Sequence, residues 1–317
     1  MKSVKFIFFF LFFFSLHSCG GEDIDIETII PGYNPDNNSS NSNTGQNGNQ
    51  SDYTQNKTLK ILAIGNSFTD DGTAYLPSLV KKAGIENVTL AKMVVGNTSL
   101  QYHYTHAIKN DSVYIFSVSK DGSFESQGKK RFSDCFLFET WDYIILQQLS
   151  QYSGMYETYQ PYLNGLINII HKYHPQAAIG WQMTWAYSST STHSGFRNYG
   201  NNQMVMYKAI LDAVNQMKNE TDISVIIPTG TVIQELRGTY ICNDLELTRD
   251  GYHLDYGAGR YAAACTWFET LIRKEYQVGV KGNTLRVNNG KVPVTEEVAL
   301  LCQEIAEKNV VKNYYGN

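Results

Sequence analysis

The feature that most constrains the fold of this 317-residue chain is the repeated alternation of short apolar segments with segments of helical pattern. Five of the apolar segments are nearly continuous runs of aliphatic and aromatic residues, which is typical of strands buried on both faces. They cover residues 59–64, 88–95, 143–146, 177–181 and 223–227. A helical segment follows each of them. This alternation predicts an α/β sandwich with a mostly parallel five-stranded sheet between two layers of helices.

Two further segments depart from the simple alternation. Between the second and third strands, residues 113–118 and 123–132 are predicted to form an inserted hairpin around an Asp-Gly turn. Near the end of the chain, residues 276–317 are predicted to form a small hairpin and a last helix. We therefore predict one α/β domain over residues 58–275, against which the C-terminal hairpin and helix pack.

The N-terminal part of the chain has a different character. Two lysines precede an apolar run over residues 6–16, which is too short to span a bilayer but typical of a signal peptide. The run ends shortly before Cys19, and a small residue before such a cysteine resembles a bacterial lipobox, in which the cysteine is lipidated. We predict a signal peptide over residues 1–18, followed by a lipidated Cys19 and an Asn-rich disordered tether over residues 19–57.

These segments also predict where the protein is found. The residues after Cys19 are acidic, which resembles the surface-export signals of Bacteroidetes lipoproteins. We expect a protein anchored by lipid to a bacterial outer membrane, facing the periplasm or the cell surface. The alternative is an ordinary secretory signal peptide that contains a cysteine by chance.

Charge and cysteine content exclude several classes of function. The chain has 26 basic and 30 acidic side chains, so it lacks the basic excess with which proteins hold nucleic acid. Four further cysteines form no C-x-x-C pair and have no histidine at metal-ligand spacing, which argues against structural zinc. They are Cys135, Cys242, Cys265 and Cys302, and the sequence leaves open whether they are thiols or disulfides. We expect no metal, no cofactor and no nucleic-acid partner.

The residues that follow the predicted strands include a candidate nucleophile and a candidate base. Binding sites in such sheets form at the carboxyl ends of the strands, and Ser67 comes directly after the first strand. Asp250 and His253 are three residues apart on a predicted turn before a long helix. There Asp250 can accept a hydrogen bond from Nδ1 of His253 and leave Nε2 facing Ser67. The alternative is that Ser67 and His253 only cap helices and Asp250 belongs to a turn.

These motifs together resemble a known family. The block Gly65-Asn66-Ser67-Phe68, a glycine at Gly96 and the pair Asp250-x-x-His253 are similar to those of the SGNH/GDSL hydrolases. The similarity covers about residues 60–273. It is strongest to Bacteroidetes lipoproteins of unassigned function that share the Gly-Asn-Ser-Phe block. The resemblance implies a flavodoxin-like three-layer α/β/α sandwich and metal-free hydrolysis of acyl esters by a Ser67-His253-Asp250 triad.

The sequence departs from that family at the expected oxyanion hole. The family's Gly-x-Asn-Asp block, whose Asn donates an amide to the oxyanion, is absent after the third core strand. Three glutamines occur there instead, and related carbohydrate acetylesterases have a strand-end Gln. By that analogy we expect the Gln148 amide to hold the oxyanion together with the backbone N–H groups of Ser67 and Gly96. Gln147 and Gln151 remain open as alternatives. Asn66 replaces the usual Asp of the first block, a residue outside the triad.

Other residues at the same edge of the sheet can each be interpreted in two ways. Trp185 and Tyr187 follow the fourth strand and either stack on a sugar at the substrate rim or pack against the domain. The polar loop 188–194, which includes His193, is either a substrate loop or a solvated one. Asp70 and Asp71 are interpreted as helix-capping residues rather than as a cation site. His103 and His106 lack a third ligand and are interpreted as surface or packing residues.

The preferred function is therefore a serine esterase that removes acyl groups, with acetyl favoured, from carbohydrate. Its expected partner is a glycan or small-molecule ester, and it touches the membrane only through the N-terminal lipid. A lipase or thioesterase is the first alternative, although the polar segments near the site argue against long acyl chains. The second is a non-catalytic glycan-binding surface lipoprotein on a hydrolase scaffold, which the missing Gly-x-Asn-Asp block keeps open.

Overall fold

The structure is a computed structural model that describes the backbone of residues 57–314 and the side chains of residues 57–310. The predicted signal peptide, Cys19 and all but the last residue of the predicted tether lie outside the described residues. Within the described part of the chain, no helix combines the length and the apolar character needed to cross a membrane.

A single seven-stranded sheet forms the centre of the domain, with the strand order β4-β3-β2-β1-β5-β6-β7. The strands β2, β1, β5, β6 and β7 are parallel, and they correspond to the five strands predicted from the apolar runs. All four residues of β5 are buried, as expected for a strand covered on both faces. The strands are β1 (Leu59–Gly65), β2 (Val88–Val94), β3 (Ser112–Lys120), β4 (Ser123–Arg131), β5 (Tyr143–Leu146), β6 (Ala178–Gln182) and β7 (Val225–Ile227).

The prediction of five strands was wrong in number, because the hairpin joins the sheet. β3 pairs antiparallel with β2, and β4 pairs antiparallel with β3, so the hairpin extends the sheet beyond its parallel part. β4 is largely exposed and carries three basic residues, which is how many proteins protect an open sheet edge from pairing with other chains.

The helices pack in two groups, and together with the sheet they form a three-layer α/β/α sandwich. In one group, α8 contacts α1, α2, α7 and α10; in the other, α3 contacts α4 and α5. The helices are α1 (Ser67–Thr73), α2 (Leu76–Lys82), α3 (Leu100–Lys109), α4 (Phe132–Phe136), α5 (Tyr162–Tyr173), α6 (Gln203–Glu220), α7 (Thr229–Leu236), α8 (Ala258–Trp267), α9 (Arg273–Tyr276) and α10 (Glu296–Tyr314). A π-helical turn, Phe268–Ile272, joins α8 to α9.

The C-terminal segment packs on the first group of helices. α10 contacts α7 and α8 through buried side chains that include Ala299, Cys302 and Ala306. Before it, a single antiparallel bridge joins Val287 to Val294, where the sequence predicts a hairpin. The segment therefore shares its apolar core with the rest of the domain.

The four cysteines inside the described region are all free thiols. Cys135, Cys265 and Cys302 are buried, and Cys242 is partly exposed. Burial raises the pKa values of Cys135 and Cys302 to about 12. These cysteines behave as small apolar core residues.

The packing of α10 can be tested with two neighbouring residues. Ala299 is fully buried against the core, whereas Leu300 is 44% exposed. We expect Ala299→Asp to lower the free energy of unfolding by about 3 kcal/mol or more, because it buries a carboxylate without a partner. Leu300→Asp, the matched control, should change it by less than about 0.5 kcal/mol. Urea denaturation measures both, and equal losses would show that the segment does not share the core.

Candidate active site

Ser67 begins α1 immediately after the C-terminal end of β1, and its neighbour Asn66 holds this turn in place. The Asn66 side chain accepts a hydrogen bond from the backbone N–H of Phe68 at 2.9 Å and so caps α1. Its amide also donates to the carbonyl of Thr98 at 2.9 Å, in the loop after β2. An ionised Asp could cap the helix but could not make this second bond, which explains why an Asn functions at this position.

Close packing beneath the nucleophile requires glycine at Gly65. A Cβ at this position would overlap the Thr69 hydroxyl and lie 2.9 Å from the Cγ of Gln147. The carbonyl of Gly65 also accepts a hydrogen bond from the backbone N–H of Val95 at 3.1 Å. The loop that carries Gly96 therefore lies directly beside the turn that carries Ser67.

Asp250 and His253 lie on a tight loop between Thr248 and Leu254, which form an antiparallel bridge. Gly251 makes this loop possible, since its φ of 90° is a conformation that side chains disfavour. One Asp250 carboxylate oxygen accepts from the backbone N–H of His253 at 2.8 Å, and the other accepts from its Nδ1 at 2.7 Å. Burial raises the pKa of Asp250, but the hydrogen bonds from His253 outweigh it and lower the pKa below its usual value. Asp250 is thus held as a carboxylate.

The structure brings this loop against the candidate nucleophile. His253 Nε2 lies 2.9 Å from Ser67 Oγ. With Nδ1 facing the Asp250 carboxylate, the tautomer that satisfies both contacts is the one in which Nδ1 donates and Nε2 accepts from the Ser67 hydroxyl. The three predicted residues form one chain of hydrogen bonds from carboxylate to imidazole to hydroxyl. This is the arrangement that activates a serine nucleophile.

A buried ionic cluster next to the triad was not predicted from the sequence. The Asp71 carboxylate, which is completely buried, accepts hydrogen bonds from Arg249 and Arg260 and from the backbone N–H of Leu254. The capping interpretation of Asp71 was therefore wrong. Asp70, its neighbour, pairs with Lys92 at 2.7 Å. The spacing of these residues along the chain gives no signal of the cluster, which depends on the tertiary fold.

The structure does not place the Gln148 amide at the oxyanion, and that prediction was wrong. Gln148 is completely buried, and its amide nitrogen donates to the carbonyl and the hydroxyl oxygen of Thr158 at 3.1 and 3.0 Å. Its carbonyl oxygen accepts from the backbone N–H groups of Leu100 and Leu149 at 3.0 and 2.8 Å. The amide nitrogen and the amide oxygen are both bonded inside the protein, so Gln148 fixes the loop after β5 instead.

The two alternative glutamines differ in their surroundings. The Gln147 side chain lies beside Gly65, and among the described residues neither of its amide atoms has a hydrogen-bond partner, although both are buried. The Gln151 side chain packs against Gly195, and the backbone carbonyl of Gln151 accepts from the Asn198 amide and the Tyr199 hydroxyl. Gln147 is therefore the glutamine with an uncommitted amide next to the nucleophile turn.

Trp185 and Tyr187 do not form a substrate rim, since both side chains are completely buried. The Trp185 ring stacks on Phe68 at 4.2 Å between centroids, and its indole N–H donates to the carbonyl of Tyr252 at 2.7 Å. The Tyr187 hydroxyl bonds with Ser150 at 2.8 Å. The prediction was wrong because the chain turns these aromatic rings under the loops rather than toward solvent. They support the site from below.

Tyr252 is an aromatic residue that the sequence reasoning missed, although it lies inside the Asp-x-x-His motif. Its partly exposed ring lies 4.2 Å from the ring of His253 and 4.7 Å from that of His193. His193 Nδ1 accepts from the backbone N–H of Gly195 at 3.0 Å. Burial, and then the nearby His253, lower the pKa of His193, which favours a neutral ring. These two rings flank the acid–base side of the site.

The loop 188–194 is anchored to the site. The backbone N–H of Ser188 donates to the carbonyl of Gly251 at 2.8 Å, and Ser189 donates to the Glu246 carboxylate through its backbone N–H at 2.9 Å and its hydroxyl at 2.5 Å. Hydrogen bonds from Ser189 and Gln203 lower the pKa of Glu246, although burial by itself would raise it. The loop therefore forms a fixed polar wall beside the Asp250 turn.

The two remaining candidates, His103 and His106, have different partners. His103 is buried between Thr98 and Tyr114, and burial, with a smaller effect of His106, lowers its pKa to about 3. His106 contacts Asp111 instead. Across the residues that the structure describes, no three His, Cys, Asp or Glu side chains come together as metal ligands would.

Several solved structures are similar to this one. A DUF4886 family protein from Bacteroides uniformis is 35% identical to this chain, with a TM-score of 0.73. The aligned region covers 82% of this chain and 97% of the Bacteroides uniformis protein. The acetylxylan esterase Axe2 from Geobacillus stearothermophilus is 13% identical over 69% of this chain and 96% of its own, with a TM-score of 0.45. A protein from Parabacteroides merdae described as a GDSL-like lipase is 12% identical over 68% of this chain and 96% of its own, with a TM-score of 0.48.

Sequence similarity places the chain in one family. No curated protein is significantly similar in sequence. Residues 60–297 match the family DUF4886, described as a domain of unknown function. This match includes the turn after β1 that carries Ser67 and the loop that carries Asp250 and His253, and thus every residue of the candidate triad. The chain therefore belongs to the DUF4886 family.

Proposed function

We propose that this protein is a serine esterase that hydrolyses acyl esters through Ser67, His253 and Asp250. The observation that carries the proposal is the continuous hydrogen-bond chain from Asp250 through His253 to the Ser67 hydroxyl. Helix capping requires neither contact, because a cap joins a side chain to backbone N–H groups, and Asn66 already caps α1. Three groups of the required chemical types, aligned in the required order, are the geometry of nucleophilic acyl transfer.

The reaction takes two steps. Ser67 Oγ attacks the ester carbonyl carbon while His253 Nε2 takes the hydroxyl proton, and the carbonyl oxygen becomes an oxyanion. The tetrahedral intermediate then collapses, the alcohol leaves with the proton from His253, and the acyl group stays on Ser67. Water attacks this ester next and gives a proton to His253; the second intermediate then releases the acid, and Ser67 Oγ recovers its proton from His253. Asp250 holds the imidazole in the correct tautomer and stabilises its charged form.

The oxyanion needs hydrogen-bond donors beside Ser67. We assign this role to the backbone N–H groups of Ser67 and Gly96, whose loop lies next to the nucleophile turn, and to the Gln147 amide. A buried amide without a partner costs about 1–3 kcal/mol of stability, so its presence beside the nucleophile calls for a functional explanation. Because both amide atoms are buried, the Gln147 side chain has to turn toward Ser67 before an oxyanion on the substrate can supply the missing acceptor.

The surroundings of the triad favour a polar substrate with a small acyl group. The loop 188–194 presents hydroxyl groups, and the partly exposed ring of Tyr252 offers an apolar face of the kind that contacts sugars. We propose an acylated, preferably acetylated, carbohydrate as the substrate. We also propose, from the sequence alone, that lipid on Cys19 anchors the enzyme to an outer membrane.

The first prediction concerns the nucleophile. We expect Ser67→Ala to lower kcat for p-nitrophenyl acetate by at least about 10³-fold, because within residues 57–310 no other hydroxyl is hydrogen-bonded to His253. The same variant should abolish acetate release from acetylated xylan and similar glycans. Thermal unfolding checks that the variant is folded. Unchanged turnover in a folded variant would remove Ser67 from the mechanism, and no release of acid from any ester by the wild type would favour the glycan-binding alternative.

The second prediction separates the two neighbouring glutamines. Gln147→Met should lower kcat by about 10²–10³-fold, the usual effect of losing one oxyanion donor, without loss of stability. Gln148→Met should instead lower the free energy of unfolding by about 2 kcal/mol or more, since it leaves buried groups on Leu100, Leu149 and Thr158 unpaired.

Both variants are compared by urea denaturation and by kcat of the folded fraction. Methionine has nearly the volume of glutamine in each case, so packing changes little. If Gln147→Met keeps full activity while Gln148→Met loses it at equal stability, the oxyanion assignment is reversed.

A further inference from the structure

We propose that Asp71 is a positioning residue. It holds the loop that carries Asp250 and His253 (residues 248–254) in place against the nucleophile Ser67. The inference rests on the proposed function, since it concerns the same triad. Asp71 lies four residues after Ser67 in the same short helix, α1, and its side chain is completely buried. It does not contact Ser67, His253 or Asp250 through any hydrogen bond, so its effect must act through other residues.

The Asp71 carboxylate attaches to the loop at two points. Oδ2 accepts from the backbone N–H of Leu254 at 2.9 Å, and Leu254 directly follows His253. Both carboxylate oxygens accept from Nη1 of Arg249 at 3.0 Å, and Arg249 directly precedes Asp250. A single carboxylate on the nucleophile helix therefore binds the residues on both sides of the Asp250–His253 turn.

Arg249 strengthens this attachment within the loop. Its backbone N–H donates to the carbonyl of His253 at 2.9 Å, and its guanidinium also donates to the carbonyl of Leu254 at 2.5 Å. The loop is thus closed on itself by the same residue that joins it to Asp71. A displacement of Arg249 would move both ends of the turn together.

Arg260 connects the cluster to the rest of the domain. Its Nε and Nη2 atoms lie 2.9 and 2.7 Å from Oδ1 of Asp71, and Arg260 belongs to α8. The ring of Tyr256 lies 4.7 Å from the Arg249 guanidinium and 4.6 Å from that of Arg260. Asp71 therefore joins α1, the triad loop and α8 through charge-assisted hydrogen bonds, which are shorter and stronger than neutral ones.

The Asp71 cluster helps to fix the distance between the base, His253, and the nucleophile, Ser67. Ser67 Oγ and His253 Nε2 are 2.9 Å apart, but they belong to separate elements that meet only in the folded domain. A misplacement of about 1 Å between reacting groups can cost about 10²-fold in rate. The Asp71 carboxylate connects α1 directly to the His253 turn by hydrogen bonds that do not pass through the triad itself.

The chain offers a matched control in Asp255. This carboxylate is also buried and lies only two residues from His253. It accepts from the backbone N–H groups of Gly257, Lys291 and Val292 at 2.9, 2.6 and 3.3 Å. It therefore joins the start of α8 to the C-terminal segment, and it has no hydrogen bond to α1.

The experiment compares Asp71→Asn with Asp255→Asn in the full chain. For Asp71→Asn we expect kcat for p-nitrophenyl acetate to fall by about 10²-fold, with KM within about threefold of wild type. Asp255→Asn should keep kcat within about threefold when both are measured at a temperature where circular dichroism shows them folded. Wild-type kcat in Asp71→Asn, or equal losses of kcat in both variants, would overturn the proposal.

A second readout does not depend on turnover. Hydrogen exchange followed by mass spectrometry should show faster exchange in peptides that cover residues 248–256 for Asp71→Asn, and in peptides that cover residues 288–293 for Asp255→Asn. If exchange around His253 is unchanged in Asp71→Asn, the positioning role is lost. If Ser67→Ala keeps its turnover while the exchange result holds, the esterase proposal fails and the positioning of the loop by Asp71 stands.

Discussion

The hydrogen bond between Ser67 and His253 is the interaction on which the proposed chemistry depends, and it joins positions 186 residues apart in the chain. No local structure can hold two such distant residues together. The parallel sheet supplies the frame, because the carboxyl ends of its strands meet at one edge. The fine adjustment comes from polar contacts around that edge, such as Asn66 with the loop after β2 and Asp71 with the loop that carries His253.

The sequence predicted the parts of the structure that have a local signal. Buried parallel strands must be apolar along their whole length, so their apolar runs appear directly in the sequence. The turn residues Gly65 and Gly251 and the short spacing of Asp250 and His253 are equally local. The sheet membership of the β3–β4 hairpin was missed, because which strand a hairpin pairs with is decided by the tertiary fold.

The candidate site shows the same division between local and tertiary signals. The hydrogen bonds among Ser67, His253 and Asp250 follow the predicted order, whereas the expected roles of Gln148, Trp185 and Tyr187 do not. Successive residues of an extended chain point to opposite faces. A sequence motif can therefore identify the right segment and still assign a role to the wrong one of two adjacent residues. Gln147 and Gln148 show this directly, since the first borders Gly65 and the second bonds to Thr158.

The free thiols of the core have a consequence for the chemistry of the folded protein. Burial raises the pKa of Cys135, Cys265 and Cys302 well above the usual thiol value, so few of them are in the reactive thiolate form. No disulfide between the described cysteines contributes to the fold, which relies on apolar packing and buried polar contacts. Once the domain has folded, its buried thiols are therefore poor substrates for oxidation or thiol–disulfide exchange.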